Sequence, residues 1–293
     1  MNEIKPEPNG ISIIDKPSGW TSHDVVAKCR GLLGTKKVGH SGTLDPDATG
    51  VLVLGVGRST RILRYLTSLP KHYVGHIVLG VETTTLDASG EVTATHSMDS
   101  VKLDDVRKAA LKLTGEIDQI PPMVSALKVG GRRLYEIARE GGEIERQSRK
   151  VTVQQFDIDP TDDPLTFKCE VKCSSGTYIR SLAADIGDLL GGGAHLKSLR
   201  RLAIGSFTVQ EAKSIEEPVL LPPSEGLRDF NKVRVSEEVA VDVSYGRILD
   251  RERLGADNGN GPWAVLNHDG DLLAIYEPHK GRVKPSVVLI EAK

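Results

Sequence analysis

Apolar and polar positions change period repeatedly along this 293-residue chain, and each change predicts an element. GISIIDK (10–16) reads as a strand ending in the turn Pro17-Ser18-Gly19. Thr21-Ser22-His23-Asp24 offers a helix cap, and VVAKCRGLLG continues with helical spacing to Gly34. Val51, Leu52, Val53 and Leu54 form the short apolar run of a buried strand. A helix is predicted around Arg61–Leu69, stopped by Pro70. HYVGHIVLGVET reads as a strand, with TLDASGEVTATH as a turn at Gly90 and a partner strand. Leu103, Val106, Ala110 and Leu113 mark one face of a helix over 103–114. VTVQQFDID and LTFKCEVKCSSG predict two more strands. TYIRSLAADIGDLLG predicts a helix that begins just past Gly176 and ends at Gly191–Gly193. Leu196–Leu202 then leads into a strand-like piece, IGSFTV.

Two segments break this pattern. Residues 121–150, opened by Pro121-Pro122, are rich in Gly and Arg with one short helical stretch around Leu134–Arg139, as expected of an arm with a basic face. Residues 213–231 are loop-rich, with Pro218, Pro222 and Pro223, and place a domain boundary near residue 230. Beyond it, KVRVS, WAVLNHDG, LLAIYEP and KPSVVLIEA predict a small β-rich unit over 231–293.

Composition adds little until its distribution is followed. The chain is 39% hydrophobic and 27% charged, with a net charge of −2, as in an ordinary soluble globular protein. Seven Lys or Arg lie between Lys28 and Arg64 against Asp45 and Asp47, and seven more between Pro121 and Lys150 against four Glu. Lys197, Arg200 and Arg201 follow without an acid. Such segments can converge on a polyanion or remain solvated surface. Cys29, Cys169 and Cys173 are too few for a disulfide framework, and the alternation in FKCEVKC places the last two in a core. Neither a signal-peptide core nor a membrane-length apolar run occurs, so a cytoplasmic location is expected.

The loop KVGHSGTLDPDATG precedes the Val51–Leu54 strand, where a rigid sheet would position catalytic groups. GVGRST and GLLGTKK lack phosphate-loop spacing, and no HExxH or G-x-S-x-G is present, so neither a metal nor a cofactor is expected. Asp45 taken alone reads as a turn aspartate before Pro46, and its company opens the alternative of a reactive carboxylate. The segment SSGTYIRS (174–181) supplies Tyr178 and Arg180, and an Arg brought beside Asp45 would hold it ionised and nucleophilic.

NGISIIDKPSGWTSHDVV, GHSGTLDPDATGVL, KHYVGHIVLGVETTTLDASG, PPMVSALKVGGRRLYEIAREG and CSSGTYIRSLAADIG, in that order over about residues 9–205, resemble the bacterial tRNA pseudouridine synthases of the TruB family. The resemblance implies an α+β fold: a mixed, largely antiparallel sheet flanked by helices over 1–230, then a small PUA-like β domain over 231–293. It implies isomerisation of uridine 55 in the tRNA T loop, by base flipping and without cofactor or metal, in a monomer. A tRNA-folding role could accompany it. Asp45 matches the catalytic aspartate and Arg180 its expected partner. Tyr73 matches the stacking tyrosine, and His40 the residue that fills the space left by the flipped base. Tyr178 and Leu199 would flank the uracil, and Lys16 would lie near the site. Lys128, Arg132 and Arg133, on the arm, would contact phosphates. The tail beyond 235 has seven Lys or Arg against ten Asp or Glu, a weak composition for gripping RNA. Two other readings compete, the first through the same nucleophile and the second through the basic faces and the tail. One is an aspartate-dependent N-glycosidase, which would want a further acid or base for water. The other is a non-catalytic RNA-binding protein, which would not need Asp45.

Overall fold

The computed structural model describes residues 7–125, 127–134, 140, 142, 144–256 and 259–290. One large sheet organises most of the chain. Its strands are β1 (Gly10–Lys16), β2 (Val38–His40), β3 (Thr49–Val56), β4 (Lys71–Leu79), β7 (Gly115–Gln119), β10 (Arg149–Pro160), β11 (Thr166–Cys173), β12 (Ala194–Ile204) and β13 (Phe207–Thr208). Small hairpins pair β5 (Val81–Thr83) with β6 (Val92–Thr95) and β8 (Lys128–Val129) with β9 (Arg132–Arg133). The main path runs β1-β3-β12-β4-β11-β10-β7, with β2 on β3 and β13 on β12. All of its pairings are antiparallel except the short β12–β3 contact.

Burial follows the patterns that predicted the strands. β4 alternates buried and half-buried residues, so one face carries Tyr73, Ile77 and Leu79 into a core closed by helices α3 (Leu103–Lys112) and α4 (Ile179–Leu189). β3 is buried on both faces, which is why it reads as an unbroken apolar run. Helix α1 (Ser22–Leu32) covers one of those faces. Thr21 caps it in a reciprocal capping box with Asp24. The other face meets helix α2 (Leu63–Ser68) and the C-terminal strands.

Those strands, β14 (Asn231–Arg234), β15 (Trp263–Leu266), β16 (Leu272–His279) and β17 (Arg282–Val288), form a separate four-stranded sheet. Helices α5 (Glu237–Ser244) and α6 (Arg251–Leu254) accompany it. Trp263, Tyr276 and Val283 lie in its own core. Ala264, Leu266, Leu272, Ile275, Val287 and Leu289 instead share a core with Ile11, Val51 and Ile62. Arg58 donates to the Leu289 carbonyl at 3.0 Å, and the Tyr65 hydroxyl donates to Glu277 at 2.6 Å, stitching the two sheets together.

The strand at the heart of the main sheet, β12, differs most from expectation. Leu196–Leu202 reads as a lead-in to IGSFTV, yet it forms most of an 11-residue strand between β3 and β4, and only Phe207–Thr208 remains of the anticipated strand. Its charges hide it. Arg200 pairs with Asp15 at 2.7 Å and Arg201 is buried, so of the three basic residues only Lys197 is left on the exposed surface. The strand expected over 72–83 breaks at Gly80, where φ is +82°. The Arg61–Leu69 helix begins as a 3-10 turn at Gly57 and becomes α-helical from Leu63 to Ser68. The helical stretch expected at 134–139 lies outside the described residues beyond Leu134. All three cysteines are buried and free. Burial pushes the Cys169 thiol up to about 12 and the Cys173 thiol to about 11.

Gly50 marks where β3 meets β12. Its φ is +103°, and a Cβ there would stand 2.1 Å from the Arg201 carbonyl oxygen. Backbone geometry and space both reserve the position for glycine. Gly50→Ala is expected to destabilise the chain by about 3 kcal/mol or more, read as a lower urea midpoint.

Candidate active site

The loop from Ser41 to Ala48 is fixed from below by buried cations. Lys16 is fully buried at the end of β1, and its Nζ donates to the carbonyls of Trp20 at 2.7 Å, Pro46 at 2.8 Å and Pro17 at 2.9 Å. Burial lowers its pKa to about 8, with Asp47 and Asp45 opposing the shift. Arg201 is 1% exposed. It donates through Nε to the Val51 carbonyl at 2.7 Å and through Nη2 to the Gly42 carbonyl at 3.1 Å. Ser22 completes the cradle, donating to the Leu44 carbonyl at 3.2 Å and accepting from the Leu44 amide at 2.9 Å. These ties hold the backbone on both sides of Asp45.

Arg180 meets the carboxylate from above. It is the second residue of α4, and it is 5% exposed. The start of that helix is pinned by Gln119, which accepts from the Tyr178 amide at 2.8 Å and donates to its carbonyl at 3.1 Å. Arg180 Nε lies 3.0 Å from Asp45 Oδ2 and 3.4 Å from Asp87 Oδ2. Its Nη1 donates to the Thr85 carbonyl at 2.9 Å and its Nη2 to the Val124 carbonyl at 2.8 Å. Burial raises the Asp45 pKa, Arg180 pulls it back, and the nearby Asp87 charge raises it again. The Asp45 side chain keeps 44% exposure toward the cleft, so it is desolvated in part while still open to a ligand.

A cavity of 410 Å³ opens over this pair, lined by Asp45, Tyr73, Tyr178, Arg180, Leu199 and Arg201 among others. Tyr73 is 8% exposed and stands opposite Arg201 in the β4–β12 register. Burial raises the Tyr73 pKa against the pull of Arg201, so the phenol is neutral. His40 lies just before the loop, its ring edge-on to that of His23 with centroids 5.4 Å apart. Burial, followed by the His23 and Arg201 charges, lowers its pKa to about 4, which leaves a neutral imidazole whose Nδ1 accepts from the Gly42 amide at 3.3 Å.

The fold therefore brings Asp45, Tyr73, Arg180, Tyr178 and Leu199 to one cavity, with His40 and Lys16 supporting its loop. Taken alone, Lys16 would be assigned to solvent, and it is instead buried. Lys128, Arg132 and Arg133 fall on the β8–β9 hairpin, and their side chains lie outside the described residues. Two further residues belong to the site. Arg201 reads in the sequence only as basic charge. Asp87 reads as part of a turn, yet Thr85 and Ser89 donate to its Oδ1 at 2.6 Å and hold it beside Arg180. Its neighbour Leu86 sits at φ +60°, a strained setting for a branched side chain and common near functional groups. Among the described residues no group of three or more His, Cys, Asp or Glu could hold a metal ion, and no helix is long and apolar enough to cross a membrane.

A model for the N-terminal domain of TruB family pseudouridylate synthases matches residues 30–179. Models for a tRNA pseudouridylate synthase B C-terminal domain and for the C terminus of tRNA pseudouridine synthase II match 180–218 and 230–290. The tRNA pseudouridine synthase B of Arthrobacter sp. (strain FB24) is 43% identical, the match covering 96% of each chain. That of Thermobifida fusca (strain YX) is also 43% identical, over 96% of this chain and 98% of its own. Among solved structures, a chain of a Cbf5-Nop10-Gar1 complex superposes with a TM-score of 0.76 at 24% identity, covering 97% of this chain and 85% of that one. A chain of an H/ACA RNP bound to a substrate RNA containing 2'-deoxyuridine gives 0.73 at 22%, covering 97% and 86%. At these identities the two structures share the fold.

Lys16→Met would remove the donor to three carbonyls while keeping an unbranched side chain. The expected loss is about 2–4 kcal/mol of unfolding free energy, measured by urea titration.

Proposed function

Since this chain belongs to the TruB family of pseudouridylate synthases, isomerases that act on tRNA, we propose that it converts uridine 55 in the T stem-loop of tRNA to pseudouridine. The observation that carries this reading is the 3.0 Å Asp45–Arg180 ion pair on the wall of a cavity shared with Tyr73. An ionised, partly desolvated carboxylate suits a reaction that detaches the base from its ribose at N1 and rejoins it at C5. Asp45 acts on the nucleotide, whether by attack on the sugar, attack on the base or removal of the C2′ proton. Arg180 keeps it charged and aimed.

The target base must leave its stack to reach Asp45, at a cost of a few kcal/mol. Stacking on Tyr73 offsets about 1–3 kcal/mol of that cost. Tyr178 and Leu199 flank the uracil. His40 occupies the place that the base vacates, and its neutral imidazole suits a role in shape and hydrogen bonding more than in proton transfer. Lys16 works through the loop that it holds. Residues 1–230 serve as the catalytic unit and 231–293 as a PUA-like unit. The 121–150 arm grips the stem-loop through Lys128, Arg132 and Arg133. The protein acts as a monomer without metal or cofactor, and this grip also assists tRNA folding.

A T-stem-loop transcript tritiated at C5 of its uridines tests the reaction. The wild type is expected to release one label per RNA, mapped to position 55, and Asp45→Asn none above background. Tight RNA binding without release by the wild type would replace the enzyme with a binding protein. The pH profile tests the electrostatics. Activity requires ionised Asp45, so the rate falls as pH drops through its raised pKa. Asp87→Asn removes a repelling charge and frees Arg180 for Asp45, and both effects lower that pKa. The acid limb of kcat/KM is expected to move to lower pH in Asp87→Asn; an upward move or none would refute the assignment.

A further inference from the structure

The cavity over Asp45 is lined by more positive charge than that carboxylate needs. Among the described residues Lys71, Arg149, Arg180 and Arg201 line it against the single carboxylate of Asp45. Arg180 is shared between Asp45, Asp87 and two carbonyls. Arg201 is 1% exposed and Lys71 8%, and both direct their donors to backbone carbonyls, those of Thr67 and Leu69 in the case of Lys71. Arg149 differs from the other three, because it is exposed.

Strand alternation sends Arg149 to the cavity side of the sheet. In β10 the buried Val151 and Val153 mark the core face, and Arg149 continues their row. Lys150 faces the other way and pairs with Glu116 at 2.8 Å. Across the β10–β7 ladder Arg149 stands opposite Gln119, which is buried and bonds to both the amide and the carbonyl of Tyr178. That pairing ties the root of Arg149 to the helix that carries Arg180. β11 ends at Cys173, opposite Val153, so Arg149 lies four residues, about 13 Å, past the end of that neighbour. It therefore stands at the mouth of the cavity, and Tyr73 lies deeper.

We propose that Arg149 binds a backbone phosphate of the RNA at the mouth of this cavity, next to the target uridine; this rests on the pseudouridine reading above. Uracil is uncharged and calls for no cation. The nucleotide that enters carries a phosphate on each side, and these stay at the mouth while the base goes in. A guanidinium presents a planar fork that meets two phosphate oxygens at once. The buried cations attract the same phosphate from within, but Arg149 is the exposed one. It also stands on the main sheet and not on the arm, so its contact would fix the nucleotide relative to Asp45.

Binding of a T-stem-loop transcript would be measured over about 50–200 mM salt for the wild type, Arg149→Met and Arg149→Lys, with thermal unfolding and tritium release alongside. Arg149→Met is expected to weaken binding about tenfold and to lower the slope of log affinity against log salt by about one, as for one lost phosphate contact. Arg149→Lys keeps the charge, so it should keep the slope and lose less affinity. Melting temperatures should agree among the three, because the side chain is exposed. The phosphate is located by making single linkages uncharged methylphosphonates, each compared with a 2′-deoxy phosphodiester at the same linkage. At one of the two linkages flanking the target uridine, Arg149→Met should add no further loss. Additive losses at both would overturn the proposal, as would wild-type affinity and slope in Arg149→Met, or a loss of affinity that tracks a loss of stability. A wild type that binds RNA but releases no tritium overturns the pseudouridine reading and this one with it. An active wild type with an unaltered Arg149→Met overturns this one alone.

Discussion

One guanidinium gathers the site. Arg180 reaches Asp45, Asp87 and the carbonyls of Thr85 and Val124, which belong to three separate stretches of chain, and α4 supplies the fourth by carrying the Arg itself. The planar fork of an Arg offers five N–H donors in fixed directions, so each tie constrains the others. A Lys would provide a point charge without that geometry. The loop, the turn after β5 and the root of the arm are consequently held to a common reference. The large sheet supplies the rigid backing against which that reference is defined.

Below this sits a second layer of buried cations that contact backbone more than carboxylate. Lys16 and Arg201 place their donors on loop carbonyls. A backbone carbonyl satisfies a cation without contributing a full negative charge, so the charges of these two residues still act on their neighbours, Lys16 on Asp45 and Arg201 on His40. Their field favours an ionised Asp45 and opposes a proton on His40. Stability and electrostatics are supplied here by the same side chains.

The outer parts of this arrangement are legible in the sequence, and the inner parts are not. α1, β4, α3, β10, β11 and α4 announce themselves because each has one drier face and one wetter face, and periodicity records that difference; β1, like β3, shows instead as a short apolar run buried on both faces. The reactive loop is visible through its glycines and its place before an apolar strand. β12 is hidden because Arg200 and Arg201 are satisfied by partners more than a hundred residues away, and a local window reads them as surface. Lys16 is hidden because its partners are the backbone carbonyls of Pro17, Trp20 and Pro46, which residue types do not record. Asp87 could have been suspected from its Thr and Ser neighbours, whose hydroxyls fix an aspartate in a turn, but its distance from Arg180 exists only in three dimensions. The resemblance to a known family names the candidate residues that the fold brings to one cavity. It did not give the carbonyl contacts that hold them in place.

The core shared between the main sheet and the C-terminal strands has a consequence for how the chain is made. Ile11, Val51 and Ile62 are translated well before Leu266, Ile275 and Val287, which share their core. Until then an apolar face of β1 and β3 has no lid, although the reactive loop that β3 supports has long been translated. A chain halted before those strands would therefore keep this apolar face uncovered and present a sticky surface to chaperones beneath the loop that carries Asp45.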